Sequence, residues 1–92
     1  MKTYVVGYDL NKPGQNYTKL IERLQSYPNW WHYLDSTWVI KTDWTTMQLR
    51  DDLLPYIDKN DELLVVRLEG EGAWYGFEDK ASVWLRDNLT LY

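Results

Sequence analysis

Along residues 3–68 the apolar positions switch between two rhythms, one of period two and one of period three to four. Thr3 to Tyr8 is β-branched and aromatic, with Tyr4, Val6 and Tyr8 on one side of an extended chain and Val5 and Gly7 on the other. This predicts a strand covered on both faces. Asp9 to Gln15 holds Asn, Pro and Gly and predicts a loop. Asn16 has the side chain of a helix cap, and Tyr17, Leu20, Ile21, Leu24 and Tyr27 follow it on one helical stripe that Pro28 and Asn29 end. From Trp30 to Thr42 the pattern gives two strands broken at Asp35 and Ser36, with Trp38 and Ile40 sharing a face of the second. Thr45 and Gln48 have the spacing of a capping box, which opens a helix carrying Met47, Leu49, Leu53, Leu54 and Ile57 and ending near Pro55.

Asp58 to Glu62 is a polar turn, and Leu63 to Leu68 is a nearly continuous apolar run of the kind found in the middle of a covered sheet. The order strand, helix, strand, strand, helix, strand predicts an α+β, ferredoxin-like βαββαβ antiparallel sheet with helices on one face. A C-terminal extension over residues 69–92 follows this core. Its glycines, Gly70, Gly72 and Gly76, surround Ala73, Trp74 and Tyr75 in a short fifth strand that crosses to a partner subunit. A third helix from Asp79 to Asn88 then turns Val83, Trp84, Ala81 and Leu85 to the core. Residues 1–92 are expected to form a single domain with no internal repeat or linker.

Composition changes the picture in two ways. Apolar residues make up 45% and charged residues 26% of the 92 positions, which excludes disorder as the main state. A chain of this size buries only about 60% of its unfolded surface. With no Cys for disulfides or thiolate metal sites, the six Trp and eight Tyr, or a homodimer interface, are the available supports. No apolar run approaches the roughly 18 residues of a membrane span, and the start lacks the features of a signal peptide, so the expectation is a soluble, cytoplasmic protein without a membrane partner. Charge is uneven: residues 1–50 carry six basic and four acidic side chains, and residues 51–92 carry four basic and ten acidic ones. The chain therefore lacks the overall basic field of a non-specific nucleic-acid binder.

The strand YVVGYDL, the helix ending at SYPNWW, the strand pair WHYLDSTWVIK and the acidic turn into IDKNDELLVVRL together resemble the Cas-two family of CRISPR adaptation and the related VapD-like toxin ribonucleases. Similarity is closer still to short bacterial and phage proteins labelled SinR-like. The resemblance implies a homodimer of nucleic-acid or phage-defence biology, in which Asp9 of two chains faces across a cleft and holds Mg²⁺ or Mn²⁺ for phosphodiester cleavage of RNA or DNA. A hard ion of this kind takes oxygen ligands, polarises phosphate and activates water. The second strand supplies no Arg and the last only Arg67, which argues against cleavage or bending of long duplex DNA.

Each candidate also has a structural reading. Asp9 at a strand end can simply bond loop amides. His32, the single histidine, can move a proton or stack on a base, or can be a hydrogen-bonded core residue. Ser36 can contact phosphate or merely complete a turn with Asp35. Tyr8, Trp30, Trp31, Trp74 and Tyr75 are the candidate ligand-binding aromatics, able to stack on nucleobases or to bury themselves at an interface. GEGAWYG lacks the Lys and Ser/Thr of a phosphate loop, and the group Asp58, Asp61 and Glu62 lacks the ligand pattern of a calcium loop, so it is expected to be a solvated turn. Asp51 and Asp52 are expected on an exposed helix face. The alternative function is a non-enzymatic dimeric module that binds a protein partner or a small nucleotide through an aromatic surface.

Overall fold

A computed structural model describes residues 1–11 and 17–89. The chain is α+β, with strands β1 (Lys2–Asp9), β2 (Asn29–Leu34), β3 (Thr37–Thr42) and β4 (Glu62–Arg67), and helices α1 (Thr18–Gln25), α2 (Thr46–Leu53) and α3 (Asp79–Leu89). The four strands form one antiparallel sheet in the order β2-β3-β1-β4. Asn16, expected as the cap of α1, lies outside the described residues. At the start of α1 Tyr17 makes no side-chain cap bond. The capping box of α2 is formed: Gln48 N–H donates to Thr45 Oγ1 at 3.1 Å, and Thr45 N–H donates to Gln48 Oε1 at 2.9 Å. Pro55 falls in a 3₁₀ turn, Leu54–Tyr56, that finishes α2, where a missing N–H costs little.

The first face of the sheet carries Tyr4, Val6 and Tyr8 of β1 with Trp38 and Ile40 of β3. Leu20 and Leu24 of α1, Leu49 and Leu53 of α2 and Tyr27 close over them. Met47 and Leu54 share the apolar composition of α2 but stay exposed, because only the i, i+4 pair Leu49 and Leu53 points inward. Two polar ties hold the helices down. Arg23 Nε and Nη2 donate to the two oxygens of Asp52 at 2.6 and 2.8 Å, and the Tyr27 hydroxyl donates to the same carboxylate. Asp52 is thus not on an exposed helix face as expected, whereas Asp51 is, paired with its neighbour Arg50. At the other end of α1, Asp61 accepts from the Tyr17 hydroxyl at 2.8 Å, from Asn11 N–H at 2.7 Å and from Asp58 N–H at 2.7 Å. The acidic turn is therefore a joint between the end of β1 and the start of β4 and not only a solvated loop.

The second face is covered over one half. Trp31 of β2 and Val39 of β3 pack with Ala81 and Leu85 of α3, and Trp74 and Phe77 of the preceding loop join them. Helices therefore lie on both faces, α1 and α2 on one and α3 on the other. Ala81 and Leu85 face the sheet, while Val83, expected in the core, points outward. The fifth strand does not form. Gly70 and Gly76 instead take φ of 82° and 85°, left-handed values that bend the loop back so that α3 returns onto its own sheet.

Over β1 and β4 the second face is open. Val5 and Gly7 are only partly buried, and Leu64 and Val66, their in-register partners, are 59% and 42% exposed. This corrects two expectations, that β1 is covered on both faces and that the last strand lies mid-sheet. β4 is an edge strand whose Leu63 and Val65 face the core and whose Leu64 and Val66 do not.

Candidate functional site

Asp9 ends β1 on the open half of the second face, in register with Glu62, the first residue of β4. Alternation places the two carboxylates on the same side as Gly7 and Leu64. Both are exposed. Like charges directly opposite on antiparallel strands are destabilising, a cost that a bound cation relieves. Asn11 limits the crowding by donating from Nδ2 to Glu62 Oε1 at 3.4 Å and to the Asn60 carbonyl at 3.0 Å.

Beside this pair is a hollow of about 450 Å³ lined by Gly7, Asp9, Ser36, Thr37, Glu62 and Leu64. It exists because Gly7 has no side chain between Thr37 on one neighbouring strand and Leu64 on the other. A Cβ built on Gly7 meets only the Ser36 carbonyl oxygen, at 3.9 Å, so the residue is not needed for packing space within the chain. Ser36 is held at the rim by its carbonyl, which accepts from Tyr8 N–H at 3.1 Å. Tyr8 also borders the hollow. Its ring, however, is buried in the first-face core, where its hydroxyl accepts from Trp38 Nε1 at 3.0 Å.

Among the sequence candidates, the fold thus brings Asp9 and Ser36 together and adds Glu62, whereas Tyr8, expected as a ligand-binding aromatic, turns its ring into the core on the other face. His32 is elsewhere. It sits on β2, across β3 from β1, with its ring stacked on Trp38 at 3.9 Å between centroids and its Nε2 3.2 Å from the Asp35 carbonyl. That oxygen only accepts, so the contact places the ring proton on Nε2.

The aromatic candidates separate by use. Trp31 is buried and donates from Nε1 to the Ala81 carbonyl at 3.2 Å, and Trp74 donates to Ser82 Oγ at 3.1 Å. Both are engaged in holding the loop and α3 to the sheet. Trp30 lies partly over Trp38, 5.4 Å between centroids, and remains 36% exposed. Tyr75 is 97% exposed on the loop.

Three displaced titrations belong to the tie between α1 and α2. Burial pushes the Asp52 carboxyl up, but the hydrogen bonds from Arg23 and Tyr27 and the Arg23 charge together hold it below its ordinary value. Burial and the bond to Asp52 push the Tyr27 phenol well up, and the same carboxylate raises Arg23. None of these three residues borders the Asp9 hollow.

Among the described residues no group of three or more His, Cys, Asp or Glu is placed to hold a metal ion. Asp9 and Glu62 supply two carboxylates, a donor set suited to Mg²⁺, which keeps waters and commonly takes only one or two protein carboxylates. Comparison of the chain with protein-family models, with curated proteins and with solved structures gives no match. No helix among the described residues is long and apolar enough to cross a membrane.

Glu62, expected from the sequence only as part of a solvated turn, instead opens β4 opposite Asp9. Its signal was present in the acidic start of the last strand, but linking it to Asp9 requires knowing that β1 and β4 are neighbours.

Proposed function

We propose that this chain is a ferredoxin-like, Cas-two-like cytoplasmic homodimer that binds a divalent ion at Asp9 and cleaves phosphodiester bonds in RNA or DNA. The succession β1-α1-β2-β3-α2-β4, with β1 between β3 and β4, supports the fold reading. One observation carries the function: the Asp9–Glu62 pair ends an apolar half-face on which Leu64 and Val66 are exposed. A second copy on Val5, Leu64 and Val66 would bury that strip, and the same twofold packing would bring two carboxylate pairs to one cleft. Asp9, with Glu62 beside it, would hold Mg²⁺ or Mn²⁺. When bound, the ion supplies phosphate polarisation and a more acidic water. Ser36 at the rim of the hollow contacts substrate, and Asp9 and Glu62 set the charge that retains the ion. The acidic second half of the chain favours a short or single-stranded substrate over long duplex DNA.

The test is incubation of the protein with single-stranded RNA and with duplex DNA, in Mg²⁺, in Mn²⁺ and in chelator. Cleavage that chelator stops and that Asp9→Ala abolishes, with folding intact, is the expected result. Cleavage that survives Asp9→Ala, or none at high protein concentration, defeats the reading.

The second reading, a non-enzymatic module for a protein partner or a small nucleotide, draws on the exposure of Trp30 and Tyr75. A flat tryptophan fluorescence titration with nucleotides removes its nucleotide form.

A further inference from the structure

The outer edge of β2 is a second place where the fold stops without closing. In the order β2-β3-β1-β4 this strand has a partner on one side only, so part of its backbone N–H and C=O groups face outward. Natural edges are commonly guarded by Lys, Pro or other charged side chains. β2, with the sequence NWWHYL, has none of these. Its one irregularity, a register shift between His32 and Leu34, comes at the turn end and leaves Asn29 to His32 regularly paired with β3.

Alongside this edge α3 is fixed at set points. Trp31 Nε1 donates to the Ala81 carbonyl, Trp84 Nε1 donates to Asn29 Oδ1 at 3.0 Å, and Asn29 Nδ2 donates to Asn88 Oδ1 at 2.9 Å. The helix therefore runs antiparallel to β2. Between them is a groove of about 350 Å³, with Trp30, Trp31, His32 and Tyr33 on the strand side and Ala81 and Trp84 on the helix side. Alternation sets Trp30 and His32 on one side of the edge and Trp31 and Tyr33 on the other. A strand edge flanked by a helix is the geometry in which an extended peptide adds to a sheet, with main-chain bonds giving affinity and alternate side chains entering pockets.

Charge selects the partner. Glu78 and Lys80 line the mouth of the groove, Asp79 stands between them in the first turn of α3, and the whole chain carries −4. The charges of Glu78 and Lys80 in the lining cancel, so it is the neighbouring Asp79 and the long-range field of the chain that favour a cationic segment.

We infer that the β2–α3 groove binds an extended, net-basic peptide segment of a partner protein, which adds to the sheet beside β2 with apolar side chains at alternate positions. The site lies on the far side of β3 from Asp9, at the edge opposite β4, and does not depend on the metal reading.

The probe is a synthetic eight-residue peptide alternating Lys with Val and Ile, followed by tryptophan fluorescence and by amide hydrogen exchange of the intact protein. A second peptide of the same sequence is N-methylated at alternate residues, which removes donors but keeps charge. Expected are saturable binding, slowed exchange at β2 amides, at least tenfold weaker binding of the methylated peptide, and a similar loss for Tyr33→Lys. Equal binding of the two peptides would mean charge attraction alone and overturn the proposal, as would absence of binding. Protection of β2 in the protein alone that rises with its concentration would assign the edge to a second copy and also overturn it. The peptide comparison uses the unaltered chain, so it stands even where Tyr33→Lys does not fold. Loss of metal-dependent cleavage in Asp9→Ala leaves this binding unchanged.

Discussion

The two halves of the second sheet face are made of similar residues and meet different fates. Over β2 and β3, Trp31 and Val39 are sealed by Ala81 and Leu85. Over β1 and β4, Leu64 and Val66 stay exposed and Val5 is only partly buried. The difference lies in the specific ties. Trp31, Asn29 and Trp84 bind α3 to the β2 side through named hydrogen bonds, and Phe77 lies 5.4 Å from Trp31 and 4.9 Å from Tyr33 between centroids. Hydrophobic burial alone does not choose between two apolar half-faces, because it is non-directional. Buried indole and amide groups do choose, since each must find a partner.

The largest effect should come from opening the sealed half. Leu85→Ala should cost about 2–4 kcal/mol in urea unfolding, as a truncated buried leucine does. Leu64→Ala on the open half should cost under about 0.5 kcal/mol in dilute protein. Equal losses would erase the distinction between the halves. If a second copy covers the open half, Leu64→Ala should nevertheless shift the sedimentation profile from dimer toward monomer.

Next in size is the tie on the first face, which serves as a reference for both halves. Asp52→Ala should cost about 2 kcal/mol, the scale of charge-assisted hydrogen bonds, by leaving Arg23 and Tyr27 without their shared acceptor. Its pH dependence has a definite sign. The Asp52 carboxyl is held below its ordinary value near 3.8, so its contribution is complete above that pH and disappears as pH falls through the lowered value. The Tyr27 phenol is raised above its ordinary 10, so its contribution is complete below pH 10 and fades as pH climbs beyond it. Denaturation midpoints across pH should show an acid loss missing in Asp52→Ala and an alkaline loss missing in Tyr27→Phe.

Smaller in stability but sharper in meaning is Gly7→Val. The added side chain has room, improves strand propensity and enters the hollow, so unfolding should change by less than about 1 kcal/mol. If the proposed nuclease reading holds, metal-dependent cleavage and dimer formation should both fall, because the narrowed hollow keeps substrate or partner away. Retained activity would detach the hollow from the function. The smallest effect is expected for Tyr75→Ala, within about 0.5 kcal/mol of the parent in the same assay, since its ring meets solvent on nearly every side.

Local chemistry was legible wherever it decides the structure. The β2–β3 break at Asp35 and Ser36, the Thr45–Gln48 box, the stop at Pro55 and the extent of α3 all follow from short-range rules. Side choice was not. Val83 and Leu85 both fit helical stripes, and the distant Trp31 and Asn29 settle which stripe faces the sheet. Similarly, the unbroken run Leu63 to Val66 hides an alternation that burial reveals, because an apolar outer face looks the same in sequence whether a partner covers it or not. Asp9 could be singled out from its place at a strand end. Glu62 and Asp52 could not be assigned, since their partners come from residues far along the chain.

The central place of β1 has a consequence for synthesis. This strand leaves the ribosome long before either neighbour, can pair with β3 only after Thr42 has emerged, and can gain β4 only after Arg67 has. During that interval β1 is itself an edge, with Tyr4, Val6 and Tyr8 still lacking part of their cover. The nascent chain is therefore most open to wrong pairing between the emergence of Thr42 and that of Arg67, and a ribosome pause in that interval would lengthen the exposure.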